Sequence, residues 1–285
     1  MMTLERFHVK FWGVRGSIPC PGAETVRYGG NTTCVEMLIG GERLVFDSGT
    51  GIRILGESLL PLMPVQGHIF FSHTHWDHIQ GFPFFAPAFM SGNTFKIYGL
   101  PTADGITIQQ RLHDQMLHPN FPVPLQIMQG DLQFYDLEID KDIQLGEIRI
   151  EMRCLNHPGG SVGYRVEWRD RVVVFVTDTE HRPDQLDKNV LYLAHQADVL
   201  IIDATYTDQE YYDPGRSRRG WGHSTWQEAV KIARKAQVKQ LILFHHDPSH
   251  HDDFLDAIAE EAMVAFPATL IAREGMSLEL LPESF

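Results

Sequence analysis

Cysteine is scarce in this chain, and its cationic side chains are outnumbered. Only Cys20, Cys34 and Cys154 occur among 285 residues, an odd number with no CxxC spacing. That excludes a disulfide framework and suits a reducing compartment. No apolar run approaches the length of a membrane span, and Met1–Lys10 has no apolar core of a secretory leader. These absences predict a soluble, cytoplasmic protein. Lys and Arg number 24 against 37 Asp plus Glu, a formal net charge of −13 with His neutral. Such a surface repels phosphate backbones, so nucleic acid is disfavoured as a partner, and no basic run offsets this. Repeats, low-complexity tracts and linkers are also missing. With 43% hydrophobic residues, the length allows one large domain or two small ones.

What is present centres on Phe70-Phe71-Ser72-His73-Thr74-His75-Trp76-Asp77-His78. The apolar run His68–Ser72 reads as a buried strand, so the histidines fall where a strand ends. In extended chain, residues two apart point the same way, which lets His73 and His75 reach one ion together. Asp77 and His78 follow after a turn and suit a second ion. Imidazole and carboxylate are ligands of zinc and related first-row metals.

The chain before this stretch reads as strands Arg6–Trp12, Cys34–Ile39 and Arg43–Phe46, the last two joined by a turn at Gly40-Gly41. A short helix follows Asp47-Ser48-Gly49-Thr50-Gly51. Residues Gly81–Met128 are rich in Phe and Pro, with one helix over Ile106–Leu117. This segment reads as an insertion over the site or at an interface, such as that of a homodimer, with core packing accounting for most of its aromatics. A second strand-rich half is expected from near Leu132: Phe134–Ile139, Glu147–Leu155, Val162–Trp168, Arg171–Val176, Val199–Ile202 and Gln240–Phe244. Ser224–Ala236 reads as a helix with Ser224 and Gln227 as its capping box, and a last helix covers Asp253–Ala265. Strands in two batches, each followed by helices, predict two packed sheets covered by helices.

Three later strands end on further metal-capable side chains. His157 follows Glu147–Leu155, Asp178 follows a Val/Phe-rich run, and His245-His246-Asp247 follows Leu243-Phe244. A carboxylate at the end of such a run needs a partner, and a cation is a good one. Loops at the ends of rigid strands are also where binding residues concentrate.

His-x-His-x-Asp-His with this downstream order resembles the metallo-β-lactamase superfamily. The resemblance implies an α/β fold, a four-layer αββα sandwich, over residues 1–285 as a single hydrolase domain. It implies that one metal takes His73, His75 and His157, the other takes Asp77, His78 and His245, and Asp178 bridges both. His245 is assigned ahead of His246 because the ligand usually comes directly after the apolar strand. Asp47 matches the early aspartate that orients the ligand loop. Gly222-His223-Ser224-Thr225, Ser161-Val162-Gly163-Tyr164-Arg165 and Asp203-Ala204-Thr205-Tyr206 are similar to the ribonuclease Z branch, with Asp203 where that enzyme usually carries glutamate. No Gly/Pro- and Lys-rich arm for tRNA is evident, and the phosphodiesterases of the branch that act on cyclic nucleotides resemble the chain better.

The resulting expectation is a dinuclear metal hydrolase with two divalent ions, zinc first, manganese or iron as alternatives. It cleaves a small phosphodiester such as a cyclic nucleotide. Asp77 orients the nucleophile, and His223, held by Asp203, is the general acid. The alternatives are tRNA 3′-processing of the ribonuclease Z kind, carboxyl-ester, lactone or thioester hydrolysis, and a non-catalytic metal-bound sensing module. Arg216, Arg218 and Arg219 form the only local basic cluster and are read as a hold for one or two phosphates.

Overall fold

The computed structural model describes residues 6–182 and 184–280. Of the expected leaderless start, Met1–Glu5 lies outside the described residues. Strands are built where β-branched and aromatic residues alternate or run together. The first sheet holds β1 (Phe7–Gly13), β2 (Cys34–Ile39), β3 (Glu42–Phe46), β4 (Gln66–Phe70), β5 (Thr94–Gly99) and β6 (Asp131–Asp136). The second holds β7 (Ile143–Leu145), β8 (Ile148–Leu155), β9 (Ser161–Trp168), β10 (Arg171–Val176), β11 (Val199–Asp203), β12 (Gln240–Phe244) and β13 (Thr269–Ile271). A last strand, β14 (Ser277–Leu280), returns to the first sheet beside β1.

Each sheet has seven strands, in the orders β14-β1-β2-β3-β4-β5-β6 and β13-β12-β11-β10-β9-β8-β7. Each is antiparallel in one half and parallel in the other: β3 to β6 run parallel, as do β10 to β13. The inner faces meet in one core that includes Phe11, Phe46, Phe70, Tyr164, Phe175 and Phe244. Its aromatic rings pack at centroid distances of 5.3 to 5.5 Å around Phe46.

Helices cover both outer faces. On the first sheet lie α1 (Gly51–Leu59), the short α2 (Trp76–Ile79) and α3 (Ile108–Asp114), whose Ile52, Leu55, Ile108 and Leu112 share a core with Ile69 and Ile97. On the second lie α4 (Lys188–Ala194), the short α5 (Asp208–Tyr211), α6 (Trp226–Ala236) and α7 (Asp252–Ala265), which bury Leu193, Ala229, Ala233 and Leu255 against Leu200 and Leu241. The layers are therefore α, β, β, α, as the resemblance implies. Among the described residues, no helix is long and apolar enough to cross a membrane.

Three local expectations are corrected. Gly81–Met128 is not an insertion: it supplies β5, a full parallel strand of the first sheet. Phe82 and Phe85 are buried there, while Phe84 is exposed. The strand expected at Phe134–Ile139 is Asp131–Asp136, and it closes the first sheet instead of opening the second. The cap of α6 is Thr225, whose hydroxyl accepts from Glu228 N at 3.2 Å. Ser224 is unavailable because its hydroxyl donates to Thr179 O at 2.7 Å and accepts from His181 N.

One core contact bears directly on the site. The buried Tyr164 hydroxyl donates to Phe71 O at 2.6 Å, pinning the chain between β4 and the histidines. Tyr164→Phe should destabilise the protein by about 1–3 kcal/mol, the range for leaving a buried acceptor without its donor. Urea unfolding measures this, and an unchanged midpoint would mean that Phe71 O finds another donor.

Candidate metal centre

The metal-capable side chains lie at the carboxyl ends of strands in the parallel halves and at the end of β8. Asp47 follows β3, His73 to His78 follow β4, His157 follows β8, Asp178 follows β10, Asp203 ends β11 and His245 follows β12. Crevices beyond such strand ends are the usual binding places of α/β folds. Asp47, Asp178 and His245 hold φ values of 62°, 51° and 63°. Left-handed backbone at non-glycine residues is sparsely populated and gathers at functional sites, where the surroundings over-determine it.

Two groups of donors face one another. In the first, His73 Nε2 lies 2.9 Å and His157 Nε2 3.0 Å from His75 Nδ1. Asp178 Oδ2 lies 3.7 Å from His73 Nε2 and 3.6 Å from His157 Nε2. In the second, Asp77 Oδ2 is 3.2 Å from both His78 Nε2 and His245 Nε2. Asp178 Oδ1 is also 3.2 Å from each of those nitrogens. Each oxygen of the Asp178 carboxylate thus addresses a different trio.

The donors fit divalent cations. His73, His75, His157 and Asp178 bring one ligand atom each within 4.8 Å of one another, as do Asp77, His78 and His245. His78 Nε2 is buried with no hydrogen-bond partner among the described residues, an orphan that a cation would satisfy. Burial would push the Asp178 carboxyl up, but His245, His78 and His73 outweigh it and hold it well below the carboxylate range. Asp77 follows the same balance, with His78 and His245 overcoming burial. Burial lowers His73, keeping it in the neutral form a metal needs.

Other groups aim these ligands. Asp47 Oδ2 accepts from His78 Nδ1 at 2.8 Å, while its Oδ1 accepts from Ser72 N at 2.7 Å. His157 Nδ1 donates to Gly222 O at 2.8 Å. A Cβ at Gly222, with φ of 87°, would fall 2.2 Å from His157 Nδ1, so the backbone can come this close only as glycine. His245 Nδ1 is 3.0 Å from Thr205 Oγ1, which donates to Asp203 Oδ1 at 2.8 Å. Such partners set ring orientation and tautomer. Asp203 Oδ2 accepts from His223 Nδ1 at 2.9 Å, which places His223 beside the second trio.

His73, His75, Asp77, His78, His157, Asp178, Asp203, His223 and His245 come together here, while the Arg219 guanidinium packs over the Tyr212 ring. His246 does not join them: its Nε2 donates to Ala272 O at 2.8 Å, and burial drives its pKa down to about 3. Sequence reasoning missed Ser17, whose N–H donates to Asp77 Oδ2 at 2.7 Å, and also Ser72, Thr205 and the Gly222 carbonyl. Backbone donors leave no side-chain signal. Thr205 stands in the quoted Asp203-Ala204-Thr205-Tyr206 motif, but its hydroxyl has no spacing of its own.

His245→Ala should therefore lower the metal content per folded chain, whereas His246→Ala should keep it. Asp178→Ala should lose most of the metal. Elemental mass spectrometry on gel-filtered protein checks all three, and full metal retention by Asp178→Ala would reject the shared-carboxylate geometry.

Known proteins share this architecture. Residues 42–246 match the family model described as the β-lactamase superfamily domain. The ribonuclease Z of Enterococcus faecalis is 27% identical, the alignment covering 83% of this chain and 87% of that protein. The ribonuclease Z of Gemmatimonas aurantiaca is 27% identical over 95% of each chain. The crystal structure of the metallo-β-lactamase fold protein YhfI from Bacillus subtilis matches with a TM-score of 0.70 at 20% identity, covering 97% of this chain and 100% of that one. That level of identity speaks for the fold alone. The family match spans well over half the chain, and it includes every strand end named above: the chain belongs to the β-lactamase superfamily domain family, as a metal-dependent hydrolase of its ribonuclease Z branch.

Proposed function

We propose that this chain is a phosphodiesterase acting on RNA 3′ ends in the manner of ribonuclease Z, with two divalent ions, zinc first, as its cofactors. His73, His75 and His157 would hold one ion, Asp77, His78 and His245 the other, with Asp178 shared. The observation that carries the reading is the Asp178 carboxylate, with Oδ2 towards His73 and His157 and Oδ1 towards His78 and His245. Ions bound there supply an acidified water and neutralise charge on the phosphoryl oxygens.

The protein's own groups supply the rest. Asp77 is held by Ser17 N–H beside His78 and His245, and its carboxylate orients the attacking water. The leaving ribose oxygen is a poor leaving group and needs a proton. His223 is the donor. Burial works against its charged form, but Asp203, through charge and hydrogen bond, and then Asp178 push its pKa up to about 9. Below that pH the ring carries both protons. Nδ1–H stays on Asp203 Oδ2, and the Nε2 proton goes to the leaving oxygen. Asp203 is itself fixed by Thr205 N at 3.0 Å and Thr179 N at 3.2 Å, so the imidazole cannot swing away with its partner.

The substrate rests on the relatives. Ribonuclease Z proteins align with most of this chain, which supports an RNA substrate over the cyclic nucleotide expected from composition. Net charge alone is a poor guide here, because Arg216, Arg218 and Arg219 sit in the loop directly before His223 and act locally. A small phosphodiester stays as the second reading on one observation: 24 cationic against 37 anionic residues, with no basic run to hold a folded RNA.

Two experiments test this. The metal-loaded enzyme should trim a precursor tRNA 3′ end, with activity falling steeply as salt rises, and turn over a cyclic nucleotide poorly. The reverse order of rates would install the small substrate, and inertness on both would sink the phosphodiesterase reading. His223→Ala should lose about 10²–10⁴-fold on a nucleotide diester, and far less on an aryl diester whose leaving group is stable as an anion. Equal losses on both would make His223 a structural residue.

A further inference from the structure

The loop between α5 and His223 carries an aromatic side chain turned outward beside the metal centre. Trp221 is 55% exposed, although it directly precedes Gly222, whose carbonyl orients His157. A large apolar ring in that position costs solvation unless something covers it. The loop that presents it is rigid. Glu180 Oε1 accepts from Gly220 N at 2.7 Å and from Tyr211 Oη at 2.5 Å, and Glu180 Oε2 accepts from Gly222 N at 2.9 Å. One carboxylate thus clamps both flanks of Trp221.

Arg218 lies against the same ring. Its guanidinium carbon is 4.8 Å from the Trp221 ring centroid and 5.6 Å from that of Tyr206. Tyr206 in turn packs edge-on to His223, with ring centroids 6.0 Å apart. Among the described residues, Arg218 Nε is buried with no hydrogen-bond partner. A planar cation held beside two rings is suited to a phosphate, while the exposed indole is suited to a base.

We propose that Trp221 and Arg218 form the nucleotide-binding wall of the site: Trp221 stacks the base next to the scissile phosphate, and Arg218 holds a phosphate of the same nucleotide. This deepens the phosphodiesterase reading and rests on it for which phosphate is cleaved. The ligand class is a nucleoside phosphate, not a bare phosphoester. Stacking tolerates any base, so the wall confers preference for nucleotides without sequence choice.

Equilibrium titration of the metal-loaded protein with adenosine 5′-monophosphate and, separately, inorganic phosphate tests the wall. The monophosphate is not a diester, so its binding is read without turnover. Trp221→Ala should bind it about 10- to 100-fold more weakly, the range for one base–aromatic stack, with phosphate affinity retained. Trp221→Phe should recover most of the loss, and Arg218→Gln should weaken both ligands. Wild-type affinity for the nucleotide in Trp221→Ala overturns the proposal. So does equal loss of both ligands in that variant, which would mean a disturbed Gly222–His157 contact, and so does a loss found in Trp76→Ala in its place. Nucleotide binding through Trp221 in a protein that cleaves no diester would sink the phosphodiesterase reading alone.

Discussion

A carboxylate buried at the end of an apolar strand is the constraint on which this site depends. Asp178 follows Arg-Val-Val-Val-Phe-Val, is almost wholly buried, and has a left-handed backbone. Removing an ionised carboxylate from water costs several kcal/mol even after relaxation, so it persists only with positive charge close by. In this protein the compensation comes from both sides, His73 and His157 towards one oxygen and His78 and His245 towards the other. Four imidazoles around one carboxylate cannot all be protonated in a buried space without mutual repulsion. Divalent cations at the two trios, as proposed above, would resolve the conflict by letting the histidines be neutral and the aspartate charged.

The two-sheet fold exists in a form that can present these groups because both sheets change direction in the same way. Each is antiparallel in one half and parallel in the half whose strands end at a common edge. The parallel halves bring the ends of β3, β4, β10, β11 and β12 to one rim. Rigid strands hold the metal-capable side chains. The loops between them supply orientation through backbone groups: Gly222 O for His157, Ser17 N for Asp77, Thr179 N for Asp203. The 13–17 loop approaches so closely that a Cβ at Gly16 would fall 2.2 Å from the His245 ring.

The cluster of metal-capable side chains was legible because most of its members lie within a few residues of the end of an apolar strand, where a polar side chain has few alternatives to a partner. His245 and His246 were separable on the same reasoning: the first residue past β12 turns towards the rim, the second back to Ala272 O. What escaped had weaker local signals. β5 reads Thr-Phe-Lys-Ile-Tyr-Gly, a fair alternating strand, but it lies among prolines and phenylalanines that mask it. β6 was recognisable as a strand and assigned to the wrong sheet, because a strand's own sequence does not name its neighbours. Ser224 and Thr225 are equal candidates as a helix cap by type; only the tertiary contact to Thr179 O and His181 N decides between them.

The acidic composition and a phosphate-bearing substrate are reconciled by distance. Charges on the solvated surface are screened within about 8 Å at physiological ionic strength, whereas groups in a partly enclosed site are screened much less. The substrate therefore feels mainly what lies around the rim. There the anionic side chains Asp77, Asp178 and Asp203 each face imidazoles, while Arg218 stands in the loop before His223. An acidic exterior then serves selectivity. It weakens non-specific adhesion of long polyanions, and under the proposed function attraction would remain where the metal centre and the arginine loop meet a phosphate.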